Sequence, residues 1–224
     1  MTAYNKFLEE LKSYAEPEYA AFHKRLLKDE NIAVLGVRVP TLRKLAKKYK
    51  NQIDALLCFD DEYYEVTFIK LQAVALLPWE EFIKRVDGCV KLIDNWATCD
   101  CFAPKCIASH KDEFIGKIDG YLSDGEQFTQ RFALTSLLHF YVEKEYLPYI
   151  FEAVQRVNSS YYYVHMAAAW LIAEALVKYY DDGVGFLISG ALDNKTHNKA
   201  IQKACESYRL DGAQKNYLKE LKRI

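Results

Sequence analysis

The 224-residue chain is 51% hydrophobic and 27% charged, enough apolar material for a continuous core and too little imbalance for a disordered tail. With only 9 Gly and 5 Pro it lacks the turn formers that an all-β chain consumes. The formal net charge of -1 neither favours nor excludes a nucleic acid, so the placement of charge has to decide.

In chain order, apolar spacing predicts helices near 3–15, 18–29, 41–50, 62–77, 79–93, 95–109, 111–121, 125–142, 146–156, 160–180, 184–191, 196–208 and 212–223. Val66, Ile69, Ala73, Leu76 and Leu77 fall on one helix face. Leu134, Leu137, Leu138 and Tyr141 repeat the pattern, as do Val164, Ala168, Leu171 and Ala175. Pro17, Pro40 and Pro78 suit first turns, where no backbone donor is lost. Ser123 with Glu126 has the spacing of a capping box, and Asp211 suits the N-cap of the last helix. From residue 62 the helices pair at spacings of about 30 to 40 residues, the range of stacked helical repeats. The expected fold is therefore all-α, a superhelix or solenoid of helical repeats forming one domain over 1–224. A curved stack binds on its concave face.

Residues 1–15 read as a charged amphipathic helix without a signal-peptide apolar stretch, and runs such as Ala73–Leu77 are far too short to span a bilayer. A cytoplasmic monomer away from the membrane is expected, with Cys58, Cys89, Cys99, Cys101, Cys106 and Cys205 as reduced thiols.

Basic residues cluster. Arg38, Arg43, Lys44, Lys47, Lys48 and Lys50 occur without an intervening acid, and Lys195, Lys199, Lys203, Lys215, Lys219, Lys222 and Arg223 form a second stretch. Acids gather elsewhere, at Asp60, Asp61, Glu62 and Glu65. One side facing DNA and ordinary solvated helix faces both explain this asymmetry.

The most unusual segment is Asp94-Asn95-Trp96-Ala97-Thr98-Cys99-Asp100-Cys101. On a helix, Trp96 and Asp100 share a face, and an indole beside a carboxylate suits a cationic ligand. A core tryptophan with Asp100 pairing locally explains the same spacing. Cys99, Cys101, Cys106 and His110 resemble a zinc ligand set, but on one helix Cys101 points roughly 160° away from the others and no C-x2-C knuckle is present. No metal and no cofactor are expected. Trp170 has Tyr163, Met166 and Glu174 at helical spacing, a pattern commoner in cores than in sites. Arg131 lies near a helix start, where a phosphate meets free N–H groups. There is no phosphate-cradling glycine loop, no G-x-S-x-G elbow and no H-E-x-x-H.

Four stretches carry a family resemblance: Leu35-Gly36-Val37-Arg38-Val39-Pro40-Thr41-Leu42-Arg43, Asn95 to Asp100, Gln130-Arg131-Phe132-Ala133, and Tyr162 to Trp170. In this order they resemble the bacterial AlkD-type DNA alkylation-repair glycosylases, which have a HEAT-like (armadillo-like) repeat fold. Thr196 to Lys203 resembles a further element of one branch.

The resemblance implies a DNA glycosylase that hydrolyses the N-glycosidic bond of cationic 3-methyl and 7-methyl purines in double-stranded DNA, without flipping the base. It implies Asp100, Trp96 and Trp170 as catalytic residues, with Arg38, Arg43, Lys44, Lys47, Arg131 and Lys199 binding DNA. The family pattern is departed from at Leu27, where a tyrosine is expected, at Ala173, where a basic residue is expected with Glu174 beside it, and at Asn95, where some members have a second tryptophan. A non-catalytic HEAT-like DNA-binding module is the alternative, followed by a scaffold for a partner protein.

Overall fold

The computed structural model of the chain describes residues 2–27 and 31–224. All regular structure among them is helical, with no strand. The chain forms two compact units, residues 1–109 and 110–224.

The first unit contains α1 (Ala3–Lys12), α2 (Pro17–Leu27), α3 (Val39–Tyr49), α4 (Ile53–Leu57), α5 (Tyr64–Ala75), α6 (Trp79–Ile83), α7 (Val86–Val90) and α8 (Trp96–Cys101). Its centre is α5, which lies against α3, α4, α7 and α8. Every residue of α5 from Tyr64 to Val74 except Gln72 is buried. The one-faced apolar pattern read from the sequence is therefore part of a helix wrapped on nearly all sides. Leu76, expected on that face, is 49% exposed, because the helix ends at Ala75.

The second unit contains α9 (Lys111–Leu122), α10 (Gln127–Phe140), α11 (Leu147–Arg156), α12 (Tyr162–Lys178), α13 (Tyr180–Ile188), α14 (Asn194–Glu206) and α15 (Gly212–Glu220). Alternate helices α10, α12 and α14 lie side by side, while α9, α11, α13 and α15 lie against them as a second layer. This is the packing of a helical-repeat protein, and it buries α10 and α12 between neighbours. Val164, Ala168, Leu171 and Ala175 are all at most 1% exposed, as the spacing predicted.

Several expected elements differ. The helix expected at 79–93 is the pair α6 and α7, and that at 95–109 is α8 followed by a 3-10 turn, Lys105–Ser109. Pro104 lies in the break, where it has no N–H to donate and restricts residue 103. The common helix used to argue against Cys99, Cys101, Cys106 and His110 is thus absent. The helix expected at 18–29 runs to Leu27, and its last two positions lie outside the described residues. Helix α4 was not expected. Ser123 closes α9 instead of opening α10, its hydroxyl donating to the Asp119 carbonyl, while Asp124 Oδ1 accepts the Glu126 N–H at 2.7 Å. Asp211 does form a capping box with Gln214, each accepting the other's backbone N–H.

Candidate functional site

In the first unit, the turn before α3 sets the direction of the basic helix. Gly36 has φ +87°, and a Cβ there would lie 2.3 Å from the Glu16 carbonyl oxygen, so only glycine fits. The fully buried Glu65 receives this turn: its Oε2 accepts the Leu35 N–H at 3.0 Å, and its Oε1 accepts those of Gly36 and Val37 at 2.7 and 3.2 Å. The acids at 60–65 are therefore not simply a solvated face. Glu65 clamps the turn, and Asp61 holds the buried Lys70 at 2.8 Å.

Beyond the turn, Pro40 sits in the first turn of α3, whose Leu42, Leu45 and Ala46 face the core. That leaves Arg43, Lys44 and Lys47 exposed on the opposite side. Arg38 is engaged otherwise. Its Nε and Nη2 donate to Glu16 at 2.8 Å and its guanidinium lies over the Tyr19 ring, so it braces the turn against α2. Lys48 pairs with Glu10.

Helix α8 opens at Asn95, whose Oδ1 accepts the Thr98 N–H at 2.9 Å. This cap accounts for Asn95 where a tryptophan was the alternative. Trp96 and Asp100 are both half-buried, one helical turn apart. The Trp96 indole Nε1 donates to the Leu26 carbonyl at 3.3 Å, which fixes the ring against the end of α2. Leu27, the first departure from the family pattern, is in the core. Arg43, Lys47 and Lys105 share a cleft of about 660 Å³ with Gln72, Cys101 and Cys106, and no acid lines it. Burial raises the Cys101 thiol above its usual range; Arg43 opposes the shift and Asp100 adds to it, so α8 lies within electrostatic reach of α3.

In the second unit, Arg131 is only 5% exposed. Its Nη1 donates to the Tyr163 carbonyl at 2.6 Å, and its guanidinium lies 5.8 Å from the centre of that ring. Gln130 secures the same end of α10 by donating to Asp124 O at 2.6 Å and accepting from Asn158 N at 3.0 Å. Arg131 is thus held on α10 at the start of α12.

Trp170 belongs to the one face of α12 that is not covered. At 42% exposure it lines a cleft of about 460 Å³ with Met166, Ala173 and Val177 on the same face. Arg131, Lys203 and Arg209 bring cations to this cleft, and Glu174 and Glu206 bring acids. Both acids are paired, Glu206 with Lys203 at 2.9 Å and Glu174 with Arg209 at 2.6 Å. Trp170 and Arg131, named separately from the sequence, therefore meet in one cleft. Lys199 does not line it; its ammonium donates to Gln202. Arg209 was missed, because its position depends on a partner 35 residues away.

All six cysteines are free thiols. Among the described residues, no group of three or more His, Cys, Asp or Glu side chains could hold a metal ion. No described helix is long and apolar enough to cross a membrane.

The fold is an all-α helical-repeat array; its first unit carries an exposed basic helix suited to an anionic polymer, and its second an aromatic cleft lined by three cations and two paired acids. The sequence pattern of the DNA alkylation repair enzyme family matches residues 7–207. The chain belongs to that family, which makes it a DNA repair enzyme with DNA as its partner. No curated protein matches the chain.

Proposed function

We propose that the protein is an alkylpurine DNA glycosylase, built as a HEAT-like array, that removes cationic 3-methyl and 7-methyl purines without flipping them from the helix. The observation that carries this reading is Trp170. A large indole left 42% exposed, beside an arginine held by a backbone carbonyl, is suited to a sugar-phosphate and not to a core.

In this reading the electron pair of the C1′–N bond leaves with the base. An N3- or N7-alkylated purine carries positive charge beforehand and departs neutral. Positive charge develops on the deoxyribose, as in other glycoside hydrolysis. An indole face beside the deoxyribose stabilises that charge by about 0.5–2 kcal/mol, the role for which Trp96 and Trp170 are the candidates. Asp100 stabilises it electrostatically, by on the order of 3–4 kcal/mol, and holds the water that adds to C1′. The proton released by that water passes to the Asp100 carboxylate. Arg131, Arg43, Lys44 and Lys47 neutralise backbone phosphates, which gives affinity without sequence preference.

Release of methylated purines from methylated duplex DNA tests the reading. Wild type is expected to release base, and Asp100→Asn to be slower by on the order of 10²–10³. Equal rates for the two remove Asp100 from the mechanism. Absence of release by wild type at any enzyme concentration removes the glycosylase.

A further inference from the structure

Past the family match, which ends at residue 207, the turn from α14 to α15 carries its own cation to the Trp170 cleft. Arg209 Nη1 donates to Glu174 Oε1 at 2.9 Å and Nη2 to Oε2 at 2.6 Å. The arginine side chain is 55% exposed and the glutamate 21%, so the acid is the inner member of the pair. An end-on pair uses two of the five guanidinium N–H groups and leaves three for a ligand. The turn is fixed on both sides. Ser207 Oγ accepts the Arg209 N–H at 3.2 Å, and Leu210 is buried. Between them Tyr208 is fully exposed, so nothing in the fold covers the turn.

Glu174 looks at first unsuited to a DNA-facing cleft. Paired in this way it has a constructive role, holding a flexible cation in one place so that less freedom is lost when an anion binds. Ala173, beside it on α12, presents only a methyl group and leaves the cleft open to that cation.

We propose that Arg209 binds a backbone phosphate of DNA at the rim of the Trp170 cleft, with Glu174 as its positioning residue. The proposal rests on DNA as the partner and not on cleavage of the glycosidic bond. It is tested with unmodified duplex DNA, so loss of the glycosylase reading leaves it standing.

Binding of a fluorescent duplex is followed by anisotropy across a salt series, with a melting curve for each variant. Arg209→Ala is expected to weaken binding about tenfold and to make the slope of log affinity against log salt shallower by about 0.9, the share of one phosphate. Glu174→Gln deletes a negative charge and is nevertheless expected to weaken binding; stronger binding overturns its positioning role. The double variant Glu174→Gln/Arg209→Ala is expected to stay as weak as Arg209→Ala. If the double variant binds with wild-type affinity and slope, Arg209 serves only to neutralise Glu174 and the proposal fails.

Discussion

Glu65 offers the sharpest test of how the first unit is held together. Its carboxylate accepts three backbone N–H groups from residues 35–37 while itself fully buried. Hydrogen bonds to a charged acceptor contribute about 1.5–3 kcal/mol each. Glu65→Gln keeps the volume and one acceptor oxygen but turns an amide donor towards at least one backbone donor. A loss of about 2–3 kcal/mol follows. Glu65→Ala leaves all three donors unsatisfied, and a loss of about 4–5 kcal/mol is expected, at the top of the range for single substitutions. With a urea dependence of about 2–3 kcal/mol per molar, Glu65→Gln lowers the unfolding midpoint by roughly 1 M. The assay is urea unfolding followed by circular dichroism. Because Glu65 lies in residues 1–109, the transition that differs between wild type and variant is the one to read. Midpoints within about 0.2 M of wild type for both variants would refute the reasoning.

Gly36→Ala attacks the same turn from its backbone. The added Cβ meets the Glu16 carbonyl at 2.3 Å and the Ala20 nitrogen at 2.6 Å in a positive-φ conformation, so melting is expected to fall markedly; an unchanged melting temperature shows that the turn can relax. Acid sensitivity is expected from His23, His165 and His197. Burial lowers all three below the usual histidine value; Glu65 opposes this at His23, Lys195 adds to it at His165, and the Leu221 carbonyl opposes it at His197. The folded state therefore binds fewer protons than the unfolded state once pH drops below about 6.5. Stability is complete above that value and falls as pH moves down towards the depressed folded values. Urea midpoints at pH about 7.5 and about 5.5 check this, above the range where carboxylates titrate. An equal or higher midpoint at the lower pH contradicts it.

The long periodic helices were readable because their apolar spacing persists for three turns or more, as in α10 and α12. Helix α4 was not, since five residues show no period; the break after α8 had a visible signal in Pro104 that the apolar spacing overrode. Ser123 illustrates a local ambiguity: its hydroxyl can cap the next helix or close the previous one, and it takes the second role, while α10 starts without a side-chain cap. At the candidate site, Trp96, Asp100 and Trp170 stood out by residue type. Arg131 was legible in kind but not in placement, because its burial depends on the Tyr163 carbonyl. Glu65 looked like one of several surface acids, and Arg209 like any basic residue near the C-terminal end, because each has partners about 30 or more residues away.

Helix α12 is at once the spine of its unit and one wall of the cleft. Ten of its side chains are locked among neighbouring helices, whereas Met166, Trp170 and Val177 are open along the cleft. Substitutions at these three can reshape what the wall accepts without disturbing the interior. Drift in ligand preference between related chains is therefore channelled to one stripe of a single helix, and a library restricted to those positions samples it with little loss of folded protein.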